Sequence, residues 1–479
     1  MIRPTNLLFL CSDEHQRAVT GCYGNALVRT PNLDALAARG TRFSNAYCNA
    51  PLCVPSRASI ATGRYGHEVH SWCNGSGYTG AIAPSWGHRL SDQGHHVTTI
   101  GKLHYRSAED PTGFPDQRIA MHLHGGVGDV RGLLRERMPV VPGHREHVSH
   151  AGPGESDYLH YDQSIAKQAV HWLKEESLEY DKPWVLLVSF LYPHYPLVAP
   201  PELCRLYPPE AMPMPILYRQ EQWPRHPALD LFRRLRSFDH PYTDDELRRA
   251  ISTYYAMVTF MDQQVGAVLD ALATSGQAER TRVLYTTDHG EHLGDHGLWW
   301  KRGLYDSAAA VPLIMSGPDV PEGRVVTDNV SLVDLFPTIV ETVGLKPAPA
   351  DSSQRGRSLY GTIEGQTENR NIFAEYHGAG SAAGSYMLRS PRYKYVYYCD
   401  GPPQLFDMEK DPHEIGDLAA DPDYAVILGE HERALRKICD PDEVDRQAKA
   451  DQRRLIEAAG GEQAILQSKV ITYFPPPVA

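Results

Sequence analysis

The sequence predicts an α/β fold in which a large, mostly parallel or mixed sheet is flanked by helices and a smaller C-terminal α+β part follows. Four short apolar runs, each followed by polar side chains, are interpreted as buried strands, and they span residues 6–10, 97–100, 184–190 and 282–286. Helical periodicity lies between these runs, over residues 30–39, 161–175 and 244–272. Such alternation is typical of parallel strands joined by crossover helices.

The polar side chains after these strands predict one shared site. They are Asp13 and Glu14, then Lys102 and His104, then His194, and finally Asp288 and His289. In open α/β sheets, ligands bind beyond the carboxyl ends of the strands, so we expect these side chains to converge.

Two irregular segments and a change of pattern predict the domain organisation. Residues 106–154 are rich in Gly and His and residues 199–243 in Pro, which predicts two irregular insertions bordering the site of a catalytic domain over residues 1–369. From about residue 370, two strands of a meander, over 386–389 and 393–398, precede a charged helical stretch over 440–467. We therefore predict a C-terminal subdomain over residues 370–479.

Composition excludes several classes of protein. Charged residues make up 22% of the 479 residues, and a net charge of −12 without a Lys/Arg block argues against nucleic acid as a partner. No run approaches the roughly 20 apolar residues that span a bilayer, so no membrane association is expected. The eight cysteines include no Cys-x-x-Cys pair, and the opening residues lack a secretion signal. The cytoplasm is the expected compartment.

The segment Cys53-Val-Pro-Ser-Arg57 is the most informative motif. Pro55 suits the first turn of a helix and Gly63 its end, which places Cys53 at a helix N-terminus, where an anion and a thiolate are stabilised. Arg57, one turn on, adds a guanidinium fork for a tetrahedral oxyanion. The alternative is an inert buried cysteine beside a structural arginine. The Cys-x5-Arg loop of cysteine phosphatases is absent, since Ser59 occupies its arginine position.

A second group of residues suits a divalent cation. Asp13, Glu14 and Asp288 are hard oxygen ligands, and His289 adds an imidazole. Taken singly, each also fits a helix cap or a solvated side chain. A zinc site on His289, His292 and His296 is the alternative, but the glycines at 290, 294 and 297 disfavour the helix it requires. The histidines of the first insertion are interpreted as solvated loop residues: His122, His124, His144, His147 and His150.

Together with Thr62-Gly63-Arg64, the cysteine motif resembles the signature of type I, formylglycine-dependent sulfatases of the alkaline phosphatase superfamily. Further blocks resemble the family in chain order: Asp13-Glu14, Gly101-Lys102-Leu-His104, Pro193-His194-Tyr-Pro196, Thr287-Asp288-His289-Gly290, Lys301 and Gln404-Leu-Phe-Asp407. The resemblance covers nearly the whole chain apart from the two insertions. It departs at Glu14, where the family usually has Asp, and at His289, where Asn is common. The histidine occurs in choline sulfatases and phosphonate monoester hydrolases, which the chain also resembles.

The resemblance implies hydrolysis of a small-molecule sulfate ester, releasing inorganic sulfate and an alcohol. It implies that a formylglycine-generating enzyme converts Cys53 to Cα-formylglycine, whose hydrate attacks sulfur. The implied catalytic residues are Cys53, Arg57, Lys102, His104, His194 and Lys301. The implied ligands of one divalent metal, Ca²⁺ or Mn²⁺, are Asp13, Glu14, Cys53, Asp288 and His289.

Two rival functions remain at this stage. The same charged residues would also stabilise the transfer of a phosphorus group, so a phosphonate monoester or phosphodiester hydrolase is the first alternative. A catalytically silent anion-binding protein is the second, and it requires that Cys53 is never converted or that Glu14 spoils metal binding.

The apolar ending of the chain predicts assembly. Residues 470–479 follow a strongly charged stretch and contain three prolines that cannot extend a helix. Docking of this tail on a neighbouring subunit would cover it and make a homo-oligomer, whereas the alternative is that it packs on its own subdomain.

Overall fold

The computed structural model of the chain describes residues 3–141, 143–366, 369–468 and 474–477. Its strands are β1 (Asn6–Ser12), β2 (Gly40–Tyr47), β3 (Val97–Lys102), β4 (Asp116–Met121), β5 (Gly152–Pro153), β6 (Val185–Ser189), β7 (Val198–Ala199), β8 (Thr281–Thr287), β9 (Ala310–Val311), β10 (Leu313–Ser316), β11 (Arg324–Ser331), β12 (Ile372–Tyr376), β13 (Ser385–Arg389), β14 (Tyr393–Tyr398) and β15 (Gln404–Asp407). Its α-helices are α1 (Pro31–Ala38), α2 (Cys53–Thr62), α3 (Trp86–Ser91), α4 (Gly143–Ser149), α5 (Asp157–Lys174), α6 (Pro201–Cys204), α7 (Pro227–Leu235), α8 (Asp244–Thr274), α9 (Asp306–Ala309), α10 (Leu335–Thr342), α11 (Leu359–Ile363), α12 (Ala425–Arg436), α13 (Pro441–Ala458) and α14 (Glu462–Gln467).

The main sheet is mixed, as predicted. Within the described ranges its strand order is β11-β2-β10-β8-β1-β6-β3-β4, with β9 paired to β2. The four strands expected from the apolar runs are the adjacent strands β8, β1, β6 and β3, and all of them are parallel. Strand β10 is antiparallel to both of its neighbours.

Strand β1 shows why the apolar runs identify the sheet. Leu8 and Leu10 point into a core formed with α1, α5 and α8, whereas Leu7 and Phe9 point into a second core formed with α2, α3 and α10. A strand covered on both faces buries every side chain, so it appears in the sequence as an unbroken apolar run. The sheet is therefore sandwiched between two helical layers.

The long helix α8 begins where its sequence predicts. The Thr243 hydroxyl accepts a hydrogen bond from the Glu246 N–H at 3.2 Å, and the Glu246 carboxylate accepts one from the Thr243 N–H at 2.8 Å. This capping box satisfies two N–H groups at the helix start. The apolar face of α8 then packs against α5 and the sheet.

The C-terminal part contains the predicted meander. Strands β12, β13, β14 and β15 form a separate antiparallel sheet in that order. The predicted charged helix over 440–467 is two helices, α13 and α14, because Gly460 and Gly461 adopt φ values of 92° and 89° between them. A domain boundary near residue 370 stays a prediction.

The insertions are less irregular than predicted. Residues 116–121 form β4, a parallel edge strand beside β3, and residues 227–235 form α7. The first five residues of β4 are only half-buried, so this edge strand lacks the apolar run that marks the central strands. The prediction of wholly irregular insertions was therefore wrong.

Two further observations concern thiols and helices. All eight cysteines lie in described ranges and all have free thiols. Over the same ranges, no helix has both the length and the apolar character needed to cross a bilayer.

Candidate active site

The sheet brings the chemistry-bearing residues to one edge. Ser12 of β1 pairs with Thr287 of β8, so Asp13 and Asp288 emerge side by side. A cavity opens at this edge, and the predicted residues in its lining are Cys53, Lys102, His104, His194 and Lys301. Residues of both predicted insertions also line it. Residues from distant parts of the sequence thus share one site.

Helix α2 presents Cys53 at its first position. Gly63, with a φ of 66°, closes the helix in the left-handed conformation that glycine favours. The Cys53 Sγ lies 3.2 Å from His289 Nε2 and 3.8 Å from Asp13 Oδ1. Burial and the charge of Asp13 raise the pKa of the Cys53 thiol to about 12. The expected stabilised thiolate was therefore wrong, because burial favours the neutral thiol.

Four predicted ligands form a compact group. Ligand atoms of Asp13, Cys53, Asp288 and His289 all lie within 4.8 Å of one another, and all four residues are buried. His289 Nδ1 lies 2.9 Å from the Gly290 carbonyl oxygen. Because a carbonyl only accepts, Nδ1 carries the proton and Nε2 directs a lone pair toward the group. Two carboxylates and a correctly oriented imidazole fit a divalent cation.

Glu14 belongs to a neighbouring group instead. Its Oε2 lies 2.7 Å from Lys301 Nζ and 3.3 Å from His194 Nε2, and its φ of 65° is left-handed. Burial raises the pKa of Glu14 well above its ordinary value, and the nearby charge of Glu291 adds to this effect while Lys301 opposes it. Its role as a metal ligand stays a prediction.

The Arg57 guanidinium holds the two carboxylates in place. Its Nε donates to Asp288 Oδ2 at 2.7 Å and its Nη2 to Asp13 Oδ2 at 3.2 Å. Its Nη1 donates to the Lys102 carbonyl and the Ser189 hydroxyl. The guanidinium N–H groups of Arg57, which were expected to bind an oxyanion, thus donate to acceptors of the protein instead.

Asp13 is kept ionised by its neighbours. Burial by itself would raise its pKa, but the charges of Lys102 and Arg57 hold the pKa of this carboxyl well below its usual range. Lys102 Nζ forms an ion pair with Asp13 Oδ2. The carboxylate is therefore charged and ready to bind a cation.

Two histidines on the cavity wall are neutral. His194 Nδ1 donates to the Tyr195 carbonyl at 2.6 Å, so its Nε2 accepts from Lys301 Nζ, also at 2.6 Å. Burial, aided by the charge of Lys301, lowers the pKa of His194 well below 6.5. Burial, aided by Lys102, lowers the pKa of His104 in the same way. Both ring nitrogens of His104 lack a hydrogen-bond partner among the described residues, so they are available to a bound ligand.

The structure excludes the zinc alternative. His292 Nδ1 lies 2.8 Å from the Ser307 hydroxyl, and His296 stacks on Tyr305 with ring centroids 4.3 Å apart. Neither side chain joins the group around His289 in the described part of the chain. The interpretation of the insertion histidines as solvated was wrong for His144, which is 3% exposed and lines the cavity.

Phe474, in the described part of the tail, lines this cavity. Of residues 470–479, the structure describes only 474–477. The Phe474 carbonyl accepts a hydrogen bond from the Tyr158 hydroxyl at 2.8 Å, and the Phe474 ring lies 6.1 Å from the His104 ring. This contact is with the catalytic part rather than the C-terminal part, and a homo-oligomer stays a prediction.

Asp162 positions the His194 loop, and sequence analysis missed it. Its two carboxylate oxygens accept hydrogen bonds from the N–H groups of Leu191 at 2.8 Å and Tyr192 at 2.9 Å. It lies in a predicted helix, where an aspartate is normally solvated, so only its burial at 0% exposure reveals the role.

Replacing Asp162 by Ala leaves two buried N–H groups without acceptors. We expect Asp162→Ala to lose about 2 to 4 kcal/mol of unfolding free energy and to lower kcat by displacing His194. Urea denaturation and initial rates measure both effects. Gln163→Ala, at an exposed position of the same helix, is the matched control. Unchanged stability and kcat in Asp162→Ala would contradict this role.

Comparison with known proteins decides the family. Residues 5–345 match the family model described as Sulfatase. The chain belongs to the sulfatase family. Residues 294–440 of this sulfatase also match the model described as N-sulphoglucosamine sulphohydrolase, C-terminal.

Curated relatives and solved structures agree with this assignment. The sulfatase is similar to the choline-sulfatase of Rhizobium meliloti, with 32% identity over 82% of this chain and 78% of the relative. It is 31% identical to arylsulfatase K of Homo sapiens over 86% of this chain and 78% of the relative. The crystal structure of the phosphonate monoester hydrolase of Agrobacterium radiobacter superposes with a TM-score of 0.73 at 27% identity, covering 93% of this chain and 96% of that one.

These similarities confirm the fold and the reaction class predicted from the motifs. The chain is a sulfuric ester hydrolase with an alkaline phosphatase-like fold. A divalent metal and formylglycine are typical of the family, and the buried group around His289 could hold the metal. The phosphonate hydrolase is a related enzyme on the same fold.

Proposed function

We propose that the enzyme cleaves sulfate esters with a formylglycine at position 53 and one divalent metal. The observation that carries this proposal is the meeting of Cys53, at a helix start, with Asp13, Asp288 and His289. A high pKa makes the unmodified thiol a poor nucleophile, which agrees with a need for conversion.

The proposed metal ligands are Asp13, Asp288, His289 and an oxygen of residue 53. Glu14, which pairs with Lys301, is the less favoured fifth ligand. The imidazole makes Mn²⁺ a stronger competitor of Ca²⁺ than it would be at an all-oxygen site. When bound, the cation supplies positive charge that acidifies the nucleophile and offsets the charge of the sulfuryl group.

The modified residue explains how turnover ends. Hydrated formylglycine offers two hydroxyls, so that one attacks sulfur while the other allows the covalent ester to collapse and release sulfate. His104 is the proposed base for this second hydroxyl. It is neutral, it lines the cavity, and both of its ring nitrogens lack partners among the described residues.

The leaving alcohol needs a proton or a strong hydrogen bond. Lys301 is the proposed donor, because its Nζ reaches the cavity and bonds His194 Nε2 at 2.6 Å. His194 holds the ammonium in place through its lone pair. Lys102 adds a positive charge beside Asp13, where the sulfuryl oxygens would bind.

Maturation and assembly complete the proposal. A formylglycine-generating enzyme is the proposed partner during maturation, and the cytoplasm is the proposed compartment. The proposed assembly is a homo-oligomer, and it is motivated by the apolar tail.

Matched esters of one phenol test the function. We expect converted, metal-loaded enzyme to cleave 4-nitrophenyl sulfate with a kcat/KM at least about tenfold above that for 4-nitrophenyl phenylphosphonate, because the matched family model and both curated relatives are sulfatases. Protein produced without the maturation enzyme is the control. Faster cleavage of the phosphonate would favour the phosphonate hydrolase, and sulfate binding without turnover would favour the silent anion-binding protein.

A further inference from the structure

The cavity that Cys53 lines carries a second cationic group in its wall. Arg236 directly follows α7, Arg302 directly follows Lys301, and His144 belongs to α4. All three line the same cavity as Cys53. Two of them come from the insertions, so the family motifs do not include them.

Arg236 and His144 form a buried donor pair. Arg236 is 6% exposed, and its Nη1 donates to His144 Nε2 at 2.8 Å. Since that nitrogen accepts, the proton of neutral His144 resides on Nδ1. His144 Nδ1 and Arg236 Nε are both buried without a hydrogen-bond partner among the described residues.

Arg302 is held by its backbone rather than its side chain. Its N–H donates to the Pro51 carbonyl at 3.1 Å, whereas its Nε and Nη1 are buried and without a partner in the described ranges. The side chains of Arg236 and Arg302 therefore present several N–H donors that no described protein group accepts.

Neither guanidinium has an acidic partner. No carboxylate oxygen of the described residues lies within 4.0 Å of Arg236 or Arg302, although other buried cations are paired. Asp129 also lines the cavity, and its charge partly offsets those of Arg236 and Arg302, but it forms no ion pair with either and accepts a hydrogen bond from the Gly132 N–H at 3.0 Å. Burial and the charge of Arg302 lower the pKa of Arg236 to about 10. Because a buried charge without an ion-pair partner is costly, an anion bound beside these two guanidinium groups would stabilise them.

We propose that Arg236, Arg302 and His144 Nδ1 bind a second anionic group, a carboxylate or a sulfate, on the alcohol part of the sulfate ester. This inference rests on the proposed function and names its substrate class. The anion would lie across Tyr195 from the reacting group. Tyr195 contacts both groups: its ring centroid is 5.9 Å from that of His144 and 4.8 Å from Lys301 Nζ.

The same wall disfavours a cationic alcohol. A quaternary ammonium would face two guanidinium groups without an intervening carboxylate within ion-pair distance. Choline is the alcohol in the name of one relative, so the two enzymes should differ in this part of the cavity. Electrostatic repulsion of the wrong substrate is a common source of specificity.

Three matched substrates test the proposal on the unmodified sequence. The probes are a hexose monosulfate, the hexuronate monosulfate and the hexose disulfate. In each comparison the cleaved ester is at the same ring position in all three probes, and the comparison is repeated for each ring position. We expect kcat/KM for at least one of the two doubly anionic probes to exceed that of the hexose monosulfate by at least about tenfold, as for a charge-assisted hydrogen bond. The better of the two probes distinguishes carboxylate from sulfate. Equal values for all three would overturn the proposal.

Two variants assign the effect to the wall. Arg302→Gln and Arg236→Gln should raise KM for the preferred doubly anionic probe at least about tenfold and change the hexose monosulfate less than about twofold. Arg234→Gln, at an exposed position of α7, is the control and should change neither. If one buried variant fails to fold, the other decides. An equal loss on both kinds of probe would show a structural role and overturn the proposal.

Binding separates this inference from the proposed function. Cys53→Ala protein should bind the preferred doubly anionic probe at least about tenfold more tightly than the hexose monosulfate in calorimetry, without turnover. If converted enzyme cleaves no sulfate ester but this ratio holds, the function fails and the anion subsite stands. If esters are cleaved and the ratio is absent, the subsite fails and the function stands.

Discussion

Cys53→Ala is expected to abolish turnover while leaving the fold intact. Cys53 is 1% exposed at the start of α2, where a smaller side chain fits and where Pro55 and Gly63 still define the helix. With no oxygen or sulfur at this position, no nucleophile remains. We expect kcat on an aryl sulfate to fall at least about 1,000-fold, with a thermal unfolding midpoint close to that of the parent enzyme.

The control is a cysteine of similar burial away from the reacting group. Cys48 is 0% exposed and its thiol lies 3.9 Å from the Ala308 carbonyl, so Cys48→Ala should retain activity. Peptide mass spectrometry over residues 45–57 of the active parent enzyme should detect formylglycine at position 53. Activity in protein that carries only unmodified cysteine there would contradict the mechanism.

Asp288→Asn is expected to remove both metal and activity. Asp288 Oδ2 accepts from Arg57 Nε at 2.7 Å, and its Oδ1 accepts from the His289 N–H at 3.0 Å. The amide keeps the shape but loses the charge that would bind the cation and that balances Arg57. We expect metal per chain to drop in elemental analysis and kcat/KM to fall at least about 100-fold.

Glu14→Gln tests whether Glu14 is less important than Asp288 for metal binding and activity. Gln keeps an oxygen for Lys301, and Glu14 lies outside the group formed by Cys53, Asp288 and His289, so we expect a loss below about tenfold and unchanged metal content. Equal losses in Glu14→Gln and Asp288→Asn would make Glu14 a ligand of similar importance. Activity that survives exhaustive chelation would refute the metal site altogether.

Much of the fold could be predicted because buried parallel strands have a simple sequence pattern. The central strands β1, β3, β6 and β8 are covered on both faces and appear as apolar runs. Edge strand β4 escaped prediction, since its first five residues are only half-buried and begin with Asp, Gln and Arg, so that no apolar run marks it. Helix α7 escaped because His226 and Pro227 at its start resemble the proline-rich loop around them.

Most residues of the catalytic group could also be predicted from the local sequence. Asp13, Asp288 and His289 each follow a strand, so the rule that parallel strands end at one edge was enough to place them together. Cys53 joined this group only through the resemblance to sulfatases. The protonation states of these groups could not be predicted from the local sequence. The pKa of the Cys53 thiol depends on desolvation by neighbours that are distant in sequence.

The sequence by itself thus determined the α/β architecture, the helix that starts at Cys53 and the set of residues at the strand ends, because these follow from local periodicity and motif spacing. Only the tertiary structure decided that Arg57 binds two carboxylates, that Glu14 pairs with Lys301, and that Arg236 and Arg302 line the cavity with His144 and have no ion-pair partner among the described residues. The physical reason is that hydrogen bonding, desolvation and charge balance depend on which side chains, distant in sequence, come into contact in a buried space. A local sequence pattern does not determine those contacts.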